Sequence, residues 1–221
     1  MNQTDSSELE ARLLFVDAEA IVLDKPAGLP VDAPKRGGDS LAARLDELRF
    51  GFQRPPSPVH RLDRDTSGCL LLARNPKARA RFGAAFEAGT VEKVYLAVVE
   101  GEVTGEGTID LPLVKTSSRE QGWRMIPDDK GKPARTRWRA LATRGGRTLV
   151  EFRPETGRTH QIRAHARHGL EAPVAGDPVY GRGGEPLLLH ASRLVVPRLN
   201  KPAIDVTAPL PGHFGDWADA A

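Results

Sequence analysis

The nine residues His60-Arg61-Leu62-Asp63-Arg64-Asp65-Thr66-Ser67-Gly68 bring together two carboxylates, two guanidinium groups, an imidazole and two hydroxyls. They lie between strand-like Val59 and the apolar run Cys69-Leu70-Leu71-Leu72-Ala73. Polar side chains at a strand end can face a cleft, so this is where chemistry is expected. An aspartate here could act as a base or a nucleophile on a substrate. Asp, Thr, Ser and Gly in series are also ordinary turn residues. The cluster therefore needs partners from elsewhere in the chain before a reaction can be assigned.

Several chemistries can be weighed against the sequence. Asp63 and Asp65 could form the carboxylate pair of a glycosidic-bond hydrolase, but residues two apart in a loop need not face each other across a sugar. His160, His165 and His168 are close in sequence, yet no His-Glu-x-x-His pattern and no neighbouring cysteine accompany them, so no metal site is expected. Capping, RNA contacts or surface placement account for these histidines. The phosphate-loop and dinucleotide glycine patterns are absent. The single cysteine, Cys69, sits in an apolar run and reads as a small buried hydrophobe.

The elements that must position the cluster come from a chain of 221 residues, 39% hydrophobic, enough for one substantial core. No run of 18 apolar residues and no basic, apolar leader are present, so no membrane partner and a cytoplasmic location are expected. The net charge of +3 is unevenly spread. Lys115 to Arg167 holds 14 Lys plus Arg against 5 Asp plus Glu, or +9, leaving 18 against 24, or −6, elsewhere. A sustained excess of this kind suits a polyanion such as nucleic acid. Aromatic residues are few, so a row of stacking rings is not suggested.

Leu13–Asp17 and Ile21–Asp24 read as a hairpin, followed by the rigid connector Lys25-Pro26-Ala27-Gly28-Leu29-Pro30. Ser40 can cap a helix from Leu41 to about Phe50 with Leu41, Leu45 and Leu48 on one face. Asn75-Pro76 starts a second helix that Gly89 stops. Val91–Val99 reads as a strand with Tyr95 among its alternating positions. Val114–Pro127 is expected to be a poorly ordered basic segment, ending in a turn over Asp128–Pro133. Ala134–Ala142 is then a strand with Arg135, Arg137 and Arg139 on one face. Arg147–Phe152 pairs with it, and a helix starts near Thr159. Leu187–His190 and Ala203–Val206 are later strands. Strands outnumber helices without βαβ alternation, so an α+β fold with a mixed, mainly antiparallel sheet is expected. The domain plan is a flexible tail over residues 1–11, one catalytic domain over 12–212 and a C-terminal tail over 213–221.

Taken together, three separated motifs resemble the RluA-type RNA pseudouridine synthases. They are His60-Arg61-Leu62-Asp63, Lys93-Val94-Tyr95-Leu96-Ala97-Val98 and Gly157-Arg158-Thr159-His160-Gln161-Ile162-Arg163. The likeness runs from about Leu13 to Leu210 and includes Lys25–Val31, Gly176-Asp177-Pro178-Val179-Tyr180-Gly181 and Leu189-His190-Ala191. It implies the bent sheet of that fold, flanked by helices and loops, in a minimal member lacking an extra N-terminal RNA-binding domain. It also implies isomerisation of a uridine to pseudouridine without a cofactor; the target is expected in a stem-loop of ribosomal RNA, transfer RNA or both, and a monomer is expected because nothing in the sequence requires more. Asp63 matches the essential aspartate, Tyr95 the active-site tyrosine that stacks on uracil, and Arg163 the basic partner that holds the aspartate ionised. Arg61 matches the residue that enters the RNA as the target base leaves; unstacking that base costs roughly a few kcal/mol. His60 is expected to shape the loop. Arg135, Arg137, Arg139, Arg158, His160 and Arg167 are expected to contact RNA, mainly at phosphates. A binding factor that keeps the fold without catalysis is the non-enzymatic alternative.

Overall fold

The computed structural model describes residues 8–34, 37–119 and 122–220. The chain divides into two compact units, Met1–Val91 with Arg193–Pro209, and Glu92–Ser192 with Leu210–Ala221.

The first unit opens with the hairpin β1 (Leu13–Val16) and β2 (Ala20–Lys25). Asp17 Oδ1 accepts the backbone N–H groups of Glu19 and Ala20, both at 2.8 Å, which sets the turn. A short helix α1 (Leu41–Arg44) is capped by Ser40, whose hydroxyl accepts from Ala43 N. It tightens into a 3-10 turn over Leu45–Leu48 instead of running on to Phe50. The expected face survives, since Leu41, Leu45 and Leu48 are all buried. Apolar residues at offsets of four and three are compatible with either winding, which is why the sequence pattern overestimates the helix. Strands β3 (Ser57–Pro58) and β4 (Ser67–Ala73) follow, and every residue of β4 is buried. β2 pairs antiparallel with β4, placing Lys25 opposite Gly68 and Asp24 opposite Cys69. Helix α2 (Pro76–Glu87) begins as expected, with Asn75 Oδ1 accepting from Ala78 N at 2.8 Å and Pro76 in the first turn. Its Phe82 packs on Val22, Leu71 and Ala73 in the core of this unit.

In the second unit β5 (Glu92–Glu100), β10 (Arg147–Pro154), β9 (Arg135–Arg144) and β6 (Glu106–Asp110) lie side by side in that order, all antiparallel. The segment expected to be poorly ordered instead forms its own hairpin, β7 (Leu113–Ser118) with β8 (Gly122–Pro127). Only Leu113 and Met125 of these strands are buried, so the alternation that announces a strand is too weak to read. Helix α3 (Gln161–Gly169) covers one face of the sheet, where Ile162 and Ala166 pack on Ala97, Val99, Val150 and Phe152. The other face carries Leu96, Val98 and Leu149, and Phe214 packs there. Residues 213–220 therefore belong to a packed 3-10 segment, Gly212–Ala220, in place of a free tail. Leu9 likewise is fully buried, although it falls in the expected N-terminal tail; residues 1–7 lie outside the described residues. Strand β11 (Leu189–Val196) passes from the second unit to the first, where Arg193–Val196 pairs with β12 (Ile204–Thr207). Together these elements make an α+β protein with a mainly antiparallel sheet and few helices. Among the described residues no helix is long and apolar enough to cross a membrane.

Candidate functional site

In the first unit the polar cluster is a loop leading into β4, and it is anchored on both sides. His60 Nε2 accepts the backbone N–H of Leu71 at 3.0 Å, and its ring stacks on Phe86 at 4.6 Å. This is the loop-shaping part expected of His60. At the other end Thr66 N–H donates to the Asp63 carbonyl, Thr66 and Ser67 are buried, and Gly68 takes a φ of 105° that favours glycine. Asp65 is held by Arg64 at 2.9 Å. Asp63 itself is half-buried on this loop. Arg61 is 70% exposed, in a surface ion pair with Asp32 at 2.9 Å, so its guanidinium can leave that partner at little cost.

A further residue that sequence reasoning passed over fastens this loop. Lys25 is completely buried at the end of β2. Its ammonium donates to three carbonyls, Pro26 at 2.8 Å, Leu29 at 2.9 Å and Arg64 at 2.9 Å, which uses all three of its protons. The Arg64 carbonyl also accepts from Gly28 N at 2.9 Å. The residue after Asp63 is thus tied twice to the Lys25–Leu29 connector. Burial pushes the Lys25 ammonium down to about 8, against the pull of Asp65, Asp63 and Asp24. The available signal was a lysine that continues an apolar strand directly into Pro-x-Gly, where a solvated side chain would have been expected at the strand's edge.

Cys69 is buried with its thiol 3.7 Å from the Val206 carbonyl, and burial pushes the thiol up to about 12. It is the inert hydrophobe that its apolar run implies.

In the second unit Tyr95 is half-buried on β5, opposite Phe152, and packs against the cluster that α3 covers. Arg163 projects from α3 and is buried, with Nε and Nη2 donating to the two oxygens of Asp177 at 2.7 and 2.8 Å. Asp177 also accepts from the backbone N–H groups of Val179 and Tyr180. Burial works to raise the Asp177 carboxyl, but the Arg163 hydrogen bonds and charge and the two backbone donors hold it below the usual range. The bidentate fork fixes the guanidinium's plane and rotamer.

The Gly157–Arg163 motif is organised by Gln161, another residue with no expected role. Its Oε1 accepts from Thr156 Oγ1 at 2.7 Å and Arg158 N at 2.9 Å, while Nε2 donates to Arg135 O and Thr136 Oγ1. Thr136 meets His165 Nδ1 at 2.9 Å, and His165 Nε2 lies 3.1 Å from the Leu111 carbonyl. Nε2 is therefore the protonated nitrogen. His165 is fully buried and burial lowers its affinity for a proton, so it joins α3 to the strands and has no surface placement. Among the described residues no three metal-ligating side chains gather.

Arg135, Arg137 and Arg139 do share an exposed face of β9. Each has an acidic neighbour: Arg135 meets Asp110 and Glu155, Arg137 meets Glu155, and Arg139 lies 3.6 Å from Glu151. The face is less cationic than its own strand suggests, because β6, β10 and the loop after it supply the carboxylates. Arg158 Nε donates to Pro133 O. Arg167 is exposed in the last turn of α3, where a cation also suits the helix end. His160 precedes α3 with a left-handed φ of 53°, its Nδ1 3.1 Å from the Tyr180 hydroxyl. Asp63 and Arg61 thus belong to the first unit; Tyr95, Arg163 and the remaining basic residues belong to the second.

Comparison with known proteins agrees with these motifs. The family model for RNA pseudouridylate synthase matches residues 19–168. An uncharacterized RNA pseudouridine synthase of Zymomonas mobilis is 55% identical over 94% of this chain and 97% of its own length. The ribosomal large subunit pseudouridine synthase D of Nitrosomonas europaea is 41% identical over 77% of this chain, which covers 50% of that protein. Among solved structures, human RNA pseudouridylate synthase domain containing 4 superposes with a TM-score of 0.80 at 26% identity, over 95% of this chain and 92% of its own. The matched span contains Asp63, Tyr95 and Arg163 in the order that the motifs require, and the chain belongs to the RNA pseudouridine synthase family, whose members are isomerases.

Proposed function

We propose that this protein converts a uridine in a stem-loop of ribosomal RNA, transfer RNA or both to pseudouridine, with Asp63 as the catalytic carboxylate. The observation that carries the reading is the match over residues 19–168, which includes all three catalytic candidates. The names of relatives such as the Nitrosomonas europaea protein favour large-subunit ribosomal RNA as the substrate. The reaction breaks the bond from C1′ of ribose to N1 of uracil, joins C1′ to C5, releases the C5 proton to solvent and takes up a proton at N1. Asp63, on a loop anchored by His60 and Lys25, acts on the ribose as nucleophile or base. Tyr95 stacks on the uracil, and Arg163, aligned by Asp177, supplies a fixed positive charge to the site. Arg61 fills the gap that the extruded base leaves in the RNA, as its exposure permits. Arg135, Arg137, Arg139, Arg158, His160 and Arg167 contribute contacts to the RNA backbone, by a monomer acting in the cytoplasm.

The test is release of tritium from RNA labelled at uracil C5, with ribosomal and transfer RNA from cells lacking the gene as separate substrates. Wild-type protein should release tritium from at least one. Asp63→Asn should bind the same RNA and keep the fold but release none. Full activity in Asp63→Asn would remove the carboxylate from the mechanism.

A further inference from the structure

The β7–β8 hairpin of the second unit holds its inner residues Leu113 and Met125 against Ala134, Ala164 and Tyr180. The Tyr180 hydroxyl accepts the Met125 backbone N–H at 2.8 Å, which fixes the hairpin on α3's side of the unit. On its outer part stands Trp123, 44% exposed and paired across the hairpin with Ser117. Its nearest hairpin neighbours, Thr116, Ser117, Ser118, Gly122 and Arg124, are polar, charged or small. A lone exposed indole among such residues is a poor seat for an apolar protein partner, which would need a contiguous apolar patch.

The indole is not a loose surface side chain. It stacks on the His160 ring at 4.5 Å, with planes 29° apart. His160 is in turn held by its strained left-handed backbone and by the Tyr180 hydroxyl, and the Tyr180 ring stands edge-on to it at 5.7 Å. The Arg163 guanidinium lies over the same Tyr180 ring at 5.4 Å. Three ring contacts therefore connect the exposed indole to the buried Arg163–Asp177 pair. The Lys115 ammonium is 5.2 Å from the indole centre. An indole of this kind, backed by a second ring and with an ammonium beside it, matches a nucleotide: a base for the ring and a phosphate for the ammonium.

We propose that Trp123 is a stacking platform for one unpaired nucleotide of the substrate RNA near the target uridine, with Lys115 contacting its phosphate. This rests on the synthase reading above. It assigns to the hairpin a part in substrate choice, because one ring accepts only a nucleotide that the RNA's shape leaves unstacked at that distance from Arg163.

Trp138 and Trp217 are the other two tryptophans, so a Trp138→Phe, Trp217→Phe protein reports on Trp123 alone. A short oligouridylate, and separately bulk ribosomal RNA from cells lacking the gene, should quench its emission. Trp123→Ala should raise the KM for RNA roughly 5- to 100-fold, with kcat changed by no more than about twofold. The thermal midpoint should be unmoved, and Trp123→Tyr should recover most of the loss. The salt dependence of binding should be unaltered in Trp123→Ala but shallower by about one in Lys115→Ala. A Trp138→Phe, Trp217→Phe enzyme that turns over RNA without quenching of Trp123 would overturn the platform, as would an unchanged KM in Trp123→Ala. So would a KM effect that tracks lost thermal stability and is not recovered by tyrosine. Quenching and binding without tritium release from any RNA would instead reject the synthase reading and leave the platform standing.

Discussion

Replacing Lys25 with methionine isolates the clamp behind Asp63, because methionine fills nearly the same volume without charge or donors. Two effects oppose each other. The three carbonyls of Pro26, Leu29 and Arg64 lose their ammonium partner. At about 1–3 kcal/mol for each buried acceptor left unpaired, the loss is roughly 3–9 kcal/mol, reduced because Arg64 O keeps the Gly28 N–H. Against this, the variant no longer buries a charge. The drop from 10.5 to about 8 places that cost at roughly 3 kcal/mol. The carbonyl effect wins, and Lys25→Met should lose on the order of 3 kcal/mol at neutral pH, read as a lower urea midpoint with an unchanged slope. Between pH 8 and 10.5 the unfolded lysine still binds a proton that the folded one has released, so wild-type stability rises with pH. The gap between wild type and Lys25→Met should therefore widen as pH increases through that window. Tritium release should fall in the variant even where it is fully folded, because the residue after Asp63 has lost one of its two ties. A variant that unfolds at the wild-type urea concentration, shows a gap flat with pH and turns over RNA at the wild-type rate would refute the clamp.

Two other perturbations test the second unit. Asp177→Asn should destabilise by about 3–5 kcal/mol, since it removes the buried carboxylate charge that holds the buried Arg163 guanidinium in its bidentate fork. Because the Asp177 carboxyl is held below its unfolded value near 4, its contribution is present above that pH and lost as pH falls through the folded value, so acid unfolding of the variant should show a shallower dependence. Gly176→Ala should be far costlier than Gly28→Ala in a thermal melt. Both glycines have positive φ, 74° and 88°, but a Cβ at Gly176 would lie 2.1 Å from the Pro186 carbonyl oxygen whereas Gly28 faces open space. Strain alone costs about 1 kcal/mol, or roughly 2–4 °C in a chain of this size, so equal melting points for the two variants would contradict the packing at Gly176.

What could be read from the chain beforehand was local. Asn75-Pro76 caps α2 as drawn, the β1–β2 hairpin falls where its apolar runs predict, and Arg135, Arg137 and Arg139 do face outward from β9. These features depend on neighbouring residues, and so does the pattern that announces them. The misses depend on distant residues. The β7–β8 hairpin is fixed by Tyr180, more than fifty positions downstream, and shows almost no apolar alternation of its own. Phe214 packs on β5 and β10 from a glycine-rich stretch that reads as a tail. Lys25 is satisfied wholly and Gln161 in part by backbone atoms, and a sequence does not show where a carbonyl will point.

The arginines show how neighbouring carboxylates temper a charge count. The excess of +9 between Lys115 and Arg167 suggests a broad phosphate-binding face. On β9, however, Glu155 already serves both Arg135 and Arg137, and Glu151 lies beside Arg139. A phosphate arriving there must displace a carboxylate or share its cation with one, so the net electrostatic gain is smaller than three free guanidiniums would give. Arg163 is committed in a different way: its fork is closed on Asp177, which spends two donors on orientation. On the proposed reading, affinity for RNA draws more heavily on cations away from those carboxylates, such as Lys115 on the hairpin and Arg167 at the end of α3. Lys115 lies beside Trp123 on the hairpin, so in the proposed reading the charge that meets a phosphate and the ring that stacks on a base act on the same nucleotide.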